Sequence, residues 1–304
     1  MEQSDLRGVI AAAATPITSS GEPDLTRFVT LCRWLLDNGC NGLNICGTTG
    51  EATSFTRKQR MAIMSAAAAA LPLSRLMAGT GAASVGDAIV LTRHAAELGL
   101  AGALLLPPFY YKCVDNDGVV AYFERIVTAT KDRPVPLYLY HFPAMSGVHY
   151  SPALIRRLRS EFPGRIVGLK DSSGDLDYAK EAAGISPDFR VFPSNEATLL
   201  RSRAGQFAGC ISASANVNPE FCGRAFNEGD HDALQTATTI RALVSRKATI
   251  PSVKAAIAYR LNDPAFEALL PPLTRLSEED KRGLIDDIAP LFAAKRYISE
   301  AAAS

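Results

Sequence analysis

A (β/α)8 barrel with a C-terminal helical extension is the fold that this 304-residue sequence predicts, on three observations. Eight short apolar runs recur down the chain, mostly about thirty residues apart, which is the room that a strand, a loop and a crossover helix need. The runs are near-continuously apolar, as strands of a parallel sheet covered on both faces are. Eight of them exceed the usual strand number of a doubly wound sheet and favour closure into a barrel.

The elements follow in order. Strands are expected at 9–14, 43–46, 76–78, 103–106, 135–140, 166–169, 191–192 and 210–212, the last two being short and flanked by Gly and Ser. Between the second and third, Thr56-Arg57-Lys58-Gln59 has the form of a capping box ahead of Met61 and an alanine run, so a helix starts there. Apolar residues at helical spacing place further helices over 84–98 and 119–130. After the eighth strand, helical patterns over 233–246, 252–261 and 277–297 remain. No Pro/Gly/Ser-rich linker separates them, so residues 1–225 are assigned to the catalytic barrel and 226–304 to a helical region packed on it.

Composition narrows the function. Hydrophobic residues make up 47% and charged residues 21%, with a net charge of +1 and no basic run, which argues against nucleic-acid or membrane-surface partners. The small-residue stretch 66–71 is far too short to span a bilayer, and MEQSDLRGVI lacks the features of a signal peptide, so a cytoplasmic location is expected. The six cysteines contain no C-x-x-C pair and the four histidines no i, i+4 pair. No metal is therefore expected, and most of the cysteines read as small buried apolar residues. Glycine-rich nucleotide motifs are absent, and no cofactor is implied.

Barrel enzymes carry their chemistry at the carboxyl ends of the strands. Polar or reactive residues do follow the eight runs: Thr15; Thr48, Thr49 and Glu51; Thr80; Tyr110; Tyr140; Lys170; Asn195 and Glu196; Ser214 and Asn216. Lys170 is the most informative. It closes the run Ile166-Val167-Gly168-Leu169, which puts its stem in the core and its amine at a cleft, where burial disfavours the charged form. Such an amine attacks carbonyls, although a lysine snorkelling to water has the same pattern. Gly47-Thr48-Thr49-Gly50 offers two hydroxyls and a flexible backbone for a carboxylate or phosphate, or else is a plain strand-to-helix turn. Tyr140 suits either a core position or acid/base work. An amine, a carboxylate cradle and a phenol together describe a Schiff-base enzyme acting on a 2-oxo acid.

The segments GTTGE (47–51), PPFYYK (107–112), YHFPAMSG (140–147) and GLKDSSGD (168–175) resemble the dihydrodipicolinate synthase/N-acetylneuraminate lyase family of pyruvate-dependent class I aldolases. The likeness runs from TPIT (15–18) through ISASANVNP (211–219) to PSVKAAIA (251–258). It implies a TIM barrel assembled as a homotetramer, a dimer of dimers, working without a cofactor. Lys170 would form the imine with pyruvate, and Tyr140 would be the acid/base. Gly47, Thr48, Thr49 and Ile211 would hold the pyruvyl part. Thr49 would also join Tyr140 in a proton relay with Tyr110, reaching in from a neighbouring subunit.

Departures from the family pattern bear on the substrate. Met145 stands where the synthases have an arginine for the aldehyde's carboxylate, and it cannot pair with one. His141 replaces the usual asparagine, and Phe109 the first of two tyrosines. Asn195 and Glu196 lie where relatives meet hydroxylated tails. The expected activity is therefore aldol cleavage or dehydration of a 2-keto-3-deoxy sugar acid or a similar hydroxylated 2-oxo acid. The alternatives are condensation of pyruvate with aspartate semialdehyde, a catalytically silent barrel that binds a 2-oxo acid, and a metal-dependent aldolase on the same fold.

Overall fold

The computed structural model describes residues 6–293. Eight parallel strands, β1 (Gly8–Ala12), β2 (Gly42–Ile45), β3 (Leu76–Gly79), β4 (Gly102–Leu105), β5 (Leu137–His141), β6 (Ile166–Asp171), β7 (Arg190–Pro193) and β8 (Gly209–Ser212), lie side by side in chain order. β1 also pairs with β8, and the β7/β8 seam is joined where the Ala208 N–H donates to the Val191 carbonyl at 2.9 Å. The result is a nearly closed barrel. Its helices are α1 (Leu25–Asp37), α2 (Arg57–Ala70), α3 (Val85–Leu98), α4 (Asn116–Ala129), α5 (Pro143–Ser146), α6 (Pro152–Glu161), α7 (Leu176–Ala183), α8 (Leu199–Arg203) and α9 (Pro219–Asn227). α10 (His231–Val244), α11 (Thr249–Leu261) and α12 (Glu278–Ala293) follow. The last helix was expected over 277–297, and residues 294–297 lie outside the described ones.

Alternation along the strands sorts the side chains. Ile10 and Ala12 face the barrel interior with Met77, Leu104, Tyr138, Phe192 and Ile211, while Val9 and Ala11 face the helical layer. The interior is filled by Tyr138, whose ring lies between two glycines. A Cβ on Gly102 would come within 2.7 Å of that ring, and one on Gly168 within 2.6 Å. The absence of side chains there is what lets the tyrosine occupy the axis.

Two strands end two residues away from where they were expected. β1 stops at Ala12, because beyond it the Ala14 N–H is taken by the Asn216 carboxamide at 3.0 Å instead of by a strand. β6 runs two residues past its apolar stretch, since Lys170 and Asp171 are still paired on both sides, with Tyr140 and His141 on β5 and with Phe192 and Pro193 on β7. Lys170 is thus held inside a central strand. The Thr56–Gln59 capping box forms at the start of α2: the Gln59 N–H donates to Thr56 Oγ1 at 3.3 Å and the Thr56 N–H to Gln59 Oε1 at 2.8 Å. Five of the six cysteines are buried, and burial pushes the Cys40 and Cys46 thiols up to about 12. No helix among the described residues is long and apolar enough to cross a membrane.

The division expected at residue 225 falls inside α9, and α10, α11 and α12 add side chains to the same core as α1, α2 and β1. The join is electrostatic as well as apolar. Lys254 of α11 is fully buried and donates to Glu51, just after the β2 turn, and to the Ala268 carbonyl at 2.6 Å. The other Glu51 oxygen accepts the Leu270 N–H at 2.9 Å. Burial lowers the Lys254 pKa, with the neighbouring Glu51 charge acting against that shift. Breaking such a pair strands a buried charge, whereas removing both charges together need not be costly. Lys254→Met should therefore destabilise by about 3–5 kcal/mol in a denaturant midpoint measurement. Adding Glu51→Gln, which keeps an acceptor for Leu270, should recover part of that loss; a double variant weaker than the single would show that the pair is not what joins the two regions.

Candidate active site

A cavity of about 430 Å³ opens at the carboxyl ends of the strands, large enough for a molecule well beyond three carbons. Lys170 and Tyr140 sit in its wall, each 4% exposed. They are direct register partners on β5 and β6, and the Lys170 Nζ lies 4.2 Å from the centre of the Tyr140 ring. Strand pairing fixes this geometry: both side chains leave the same face of the sheet at the same level. Burial by itself raises the Tyr140 phenol pKa. The Lys170 charge and hydrogen bonds to Thr48, Lys170 and Ser172 outweigh it, so the phenol is more acidic than a free tyrosine.

The β2 turn forms the opposite wall through Thr48 and Thr49. Thr48, rather than Thr49, reaches Tyr140: its hydroxyl is 3.3 Å from the phenol oxygen. The contact with Tyr140 is thus made by Thr48, while Thr49 also lines the cavity. Gly47 is outside the cavity lining and shapes the turn instead, since a Cβ there would meet Asn44 Nδ2 at 2.7 Å. Gly50 is similarly tight, its Cβ position lying 2.8 Å from the Ala13 carbonyl. Cys46 and Glu51 flank the turn with φ of 52° and 56°, a left-handed conformation that costs non-glycine residues about 1–3 kcal/mol each.

Other expected residues are distributed unevenly. Ile211 on β8 lines the cavity, as does Met145, which stands 63% exposed at the rim after β5. Tyr110 is outside this chain's cavity, 73% exposed in the loop after β4 and edge-on to Tyr111. Asn195 turns back to accept the Ala197 N–H at 3.0 Å. Glu196 is buried behind the wall, where it accepts from the hydroxyls of Ser212 and Ser214 and from Arg241 Nη1 at 2.9 Å. Glu196 therefore bears on the cavity through Ser214 and Arg241, which do line it. Thr15, Thr80 and Asn216 are buried, and Asn216 ties the β8 loop to β1 through the Ala12 carbonyl at 2.8 Å.

Several lining residues were not identified from the sequence. Ser172 and Ser194 follow their strands closely enough for the strand-end rule to have found them. Arg241, Ser245 and 248–251 come from α10, α11 and their connection, outside the reach of that rule. Of these, Arg241, Ser245 and Thr249 add polar groups to a wall that Phe142 and Met145 also line. Lys170 and Arg241 are the charged residues lining it, and both are cations.

The arrangement supplies a buried amine, a phenol made more acidic by that amine, hydroxyls at one end and a guanidinium at the other. The Dihydrodipicolinate synthetase family model matches residues 5–290. An uncharacterized DapA-like lyase from Chloroflexus aurantiacus is 34% identical over 91% of this chain and 94% of its own. The crystal structure of dihydrodipicolinate synthase from Agrobacterium tumefaciens superposes with a TM-score of 0.88 at 28% identity, covering 94% of this chain and all of that one. YagE, a prophage protein of the same family from E. coli K12 solved in complex with pyruvate, superposes at 0.84 with 25% identity over 94% and 98% of the two chains. The chain belongs to the dihydrodipicolinate synthase family, and it is a lyase of the class I aldolase type.

Proposed function

We propose that the protein forms a Schiff base between Lys170 and a 2-oxo acid and uses it to cleave or dehydrate a 2-keto-3-deoxy sugar acid or a similar hydroxylated 2-oxo acid. The observation that carries this reading is the Lys170 amine held 4.2 Å from the Tyr140 ring centre, with Thr48 on the phenol, in a cavity that continues past them to polar groups of α10 and α11.

The steps follow from these positions. The Lys170 amine adds to C2 of the substrate, and the carbinolamine loses water as Tyr140 delivers a proton to the departing hydroxyl. Thr48 and Thr49 hold the C1 carboxylate beside the imine. The protonated imine draws electrons from C3. If the C4 hydroxyl gives up its proton, the C3–C4 bond breaks to an aldehyde and an enamine, which takes a proton at C3 and is hydrolysed to pyruvate. If C3 loses a proton first, the C4 hydroxyl leaves as water. Neither route requires an added cofactor. Tyr110, exposed on the β4 loop, is proposed to complete the relay of a second subunit in a homotetramer.

The tail of the substrate meets Ser172, Ser194, Ser214 and Thr249, with Arg241 supplying donors that its single bond to Glu196 leaves over. Met145 at the rim offers no partner for the carboxylate of aspartate semialdehyde, which favours the sugar-acid reading over condensation.

Incubation with pyruvate and borohydride should add one reduced pyruvyl group to the intact protein, and Lys170→Ala should show none; an adduct that persists in the variant would remove Lys170 from the mechanism. Tyr140→Phe should lower turnover by a factor of about 10² to 10⁴ with the fold unchanged, and wild-type turnover would overturn its role. Met145→Arg should raise condensation with aspartate semialdehyde above the wild-type level, since a bidentate arginine–carboxylate pair is among the stronger polar contacts. No gain would mean that other parts of the wall exclude that aldehyde.

A further inference from the structure

The strand pair that carries Tyr140 and Lys170 carries a second pair one residue further on. His141 is opposite Asp171, and His141 Nδ1 donates to Asp171 Oδ1 at 2.9 Å with both side chains buried. Successive strand residues face opposite ways, so this pair stands behind the sheet, back to back with the amine and the phenol. The register above it needs fixing. β5 and β6 slip by one residue between Leu137 and Tyr138, and one further slip would break the Tyr140–Lys170 pairing and turn the side chain on the shifted strand away from the cavity. Asp171 Oδ1 also accepts the Ser173 N–H at 3.0 Å, and its backbone carbonyl accepts the Ser194 N–H at 2.8 Å. Asp171 is thereby anchored to its own loop by its carboxylate and to the β7 loop by its backbone.

The chain of contacts continues outward. His141 Nε2 lies 3.0 Å from His149 Nδ1. This ring-to-ring hydrogen bond joins the outer imidazole to the one that faces Asp171. The Tyr178 ring packs against both imidazoles, at 4.3 and 5.3 Å, and its hydroxyl donates to the Tyr150 carbonyl at 2.7 Å. His149 is exposed and ends the segment that begins with β5 and carries Phe142 and Met145 onto the rim.

We infer that Asp171, His141 and His149 form a positioning chain: the buried His141–Asp171 pair sets Tyr140 against Lys170, and His149 ties the rim segment 142–148 to that pair. His141 touches no reacting atom in this account. Its effect reaches the reaction through the placement of its neighbour on β5, and that of His149 reaches the substrate's tail through Phe142 and Met145.

The test rests on the Schiff-base reading and uses pyruvate alone as its probe, followed by exchange of the pyruvate methyl protons in heavy water. His141→Ala should lower kcat for exchange by about 100-fold, the scale of a 1 Å misplacement, with little change in KM, because the carboxylate cradle lies on another strand. His141→Asn, which keeps an N–H for Asp171, should restore most of the rate. His149→Ala, a surface change that leaves the fold intact, should hold kcat and weaken inhibition of exchange by 2-keto-3-deoxygluconate about tenfold, as the rim must then be ordered on binding. Wild-type kcat in His141→Ala, no recovery in His141→Asn, or unchanged inhibition in His149→Ala would overturn the inference while leaving the imine standing. Absence of exchange in the wild-type protein would overturn both.

Discussion

The buried pair between Glu51 and Lys254 is the constraint on which the cavity depends. Glu51 closes the β2 turn in a left-handed conformation that a glutamate adopts only when its surroundings hold it there. Lys254 and the Leu270 N–H do so from α11 and from the segment after it. One ion pair thus sets the turn that presents Thr48 and Thr49 and, from its other end, brings α11 over the barrel mouth. Desolvating two charges is a weak source of stability, and its value here is geometric: neither partner can shift without leaving the other unpaired.

A second constraint acts within the sheet. Pairing of Tyr140 with Lys170 gives the phenol a cation close to its ring, and that charge counters the effect of burial on the phenol. The phenol would be less acidic on a strand without that neighbour.

Much of this was legible in the chain. The eight apolar runs, the capping box at Thr56 and the strand-end rule suffice to lead to the barrel and to Lys170, Tyr140, Thr48 and Thr49, because each rests on local pattern or on a backbone rule. Where the reading fell short, side-chain direction or long-range packing decided. Thr48 makes the hydroxyl contact to Tyr140 that was expected of its neighbour Thr49, though both line the cavity. Glu196 follows its strand as the rule requires, yet is claimed by Ser212, Ser214 and Arg241. Arg241 lies in the 231–244 helix, some distance in sequence from any strand, and only the packing of that helix over the mouth brings it to the cavity.

The cavity wall is drawn from two separate stretches of chain. Strand ends and their loops surround the amine, whereas residues 241–251 and Leu273 enclose the outer part. The first stretch is bound by sheet register, where a change of one residue disturbs many partners. The second lies on helices and a connecting loop, where exposed positions such as Ser245, Ala248 and Thr249 can change shape and polarity with few consequences for the barrel. A gene under selection for a new carbon skeleton thus has a region free to vary while the bond-making apparatus stays in place.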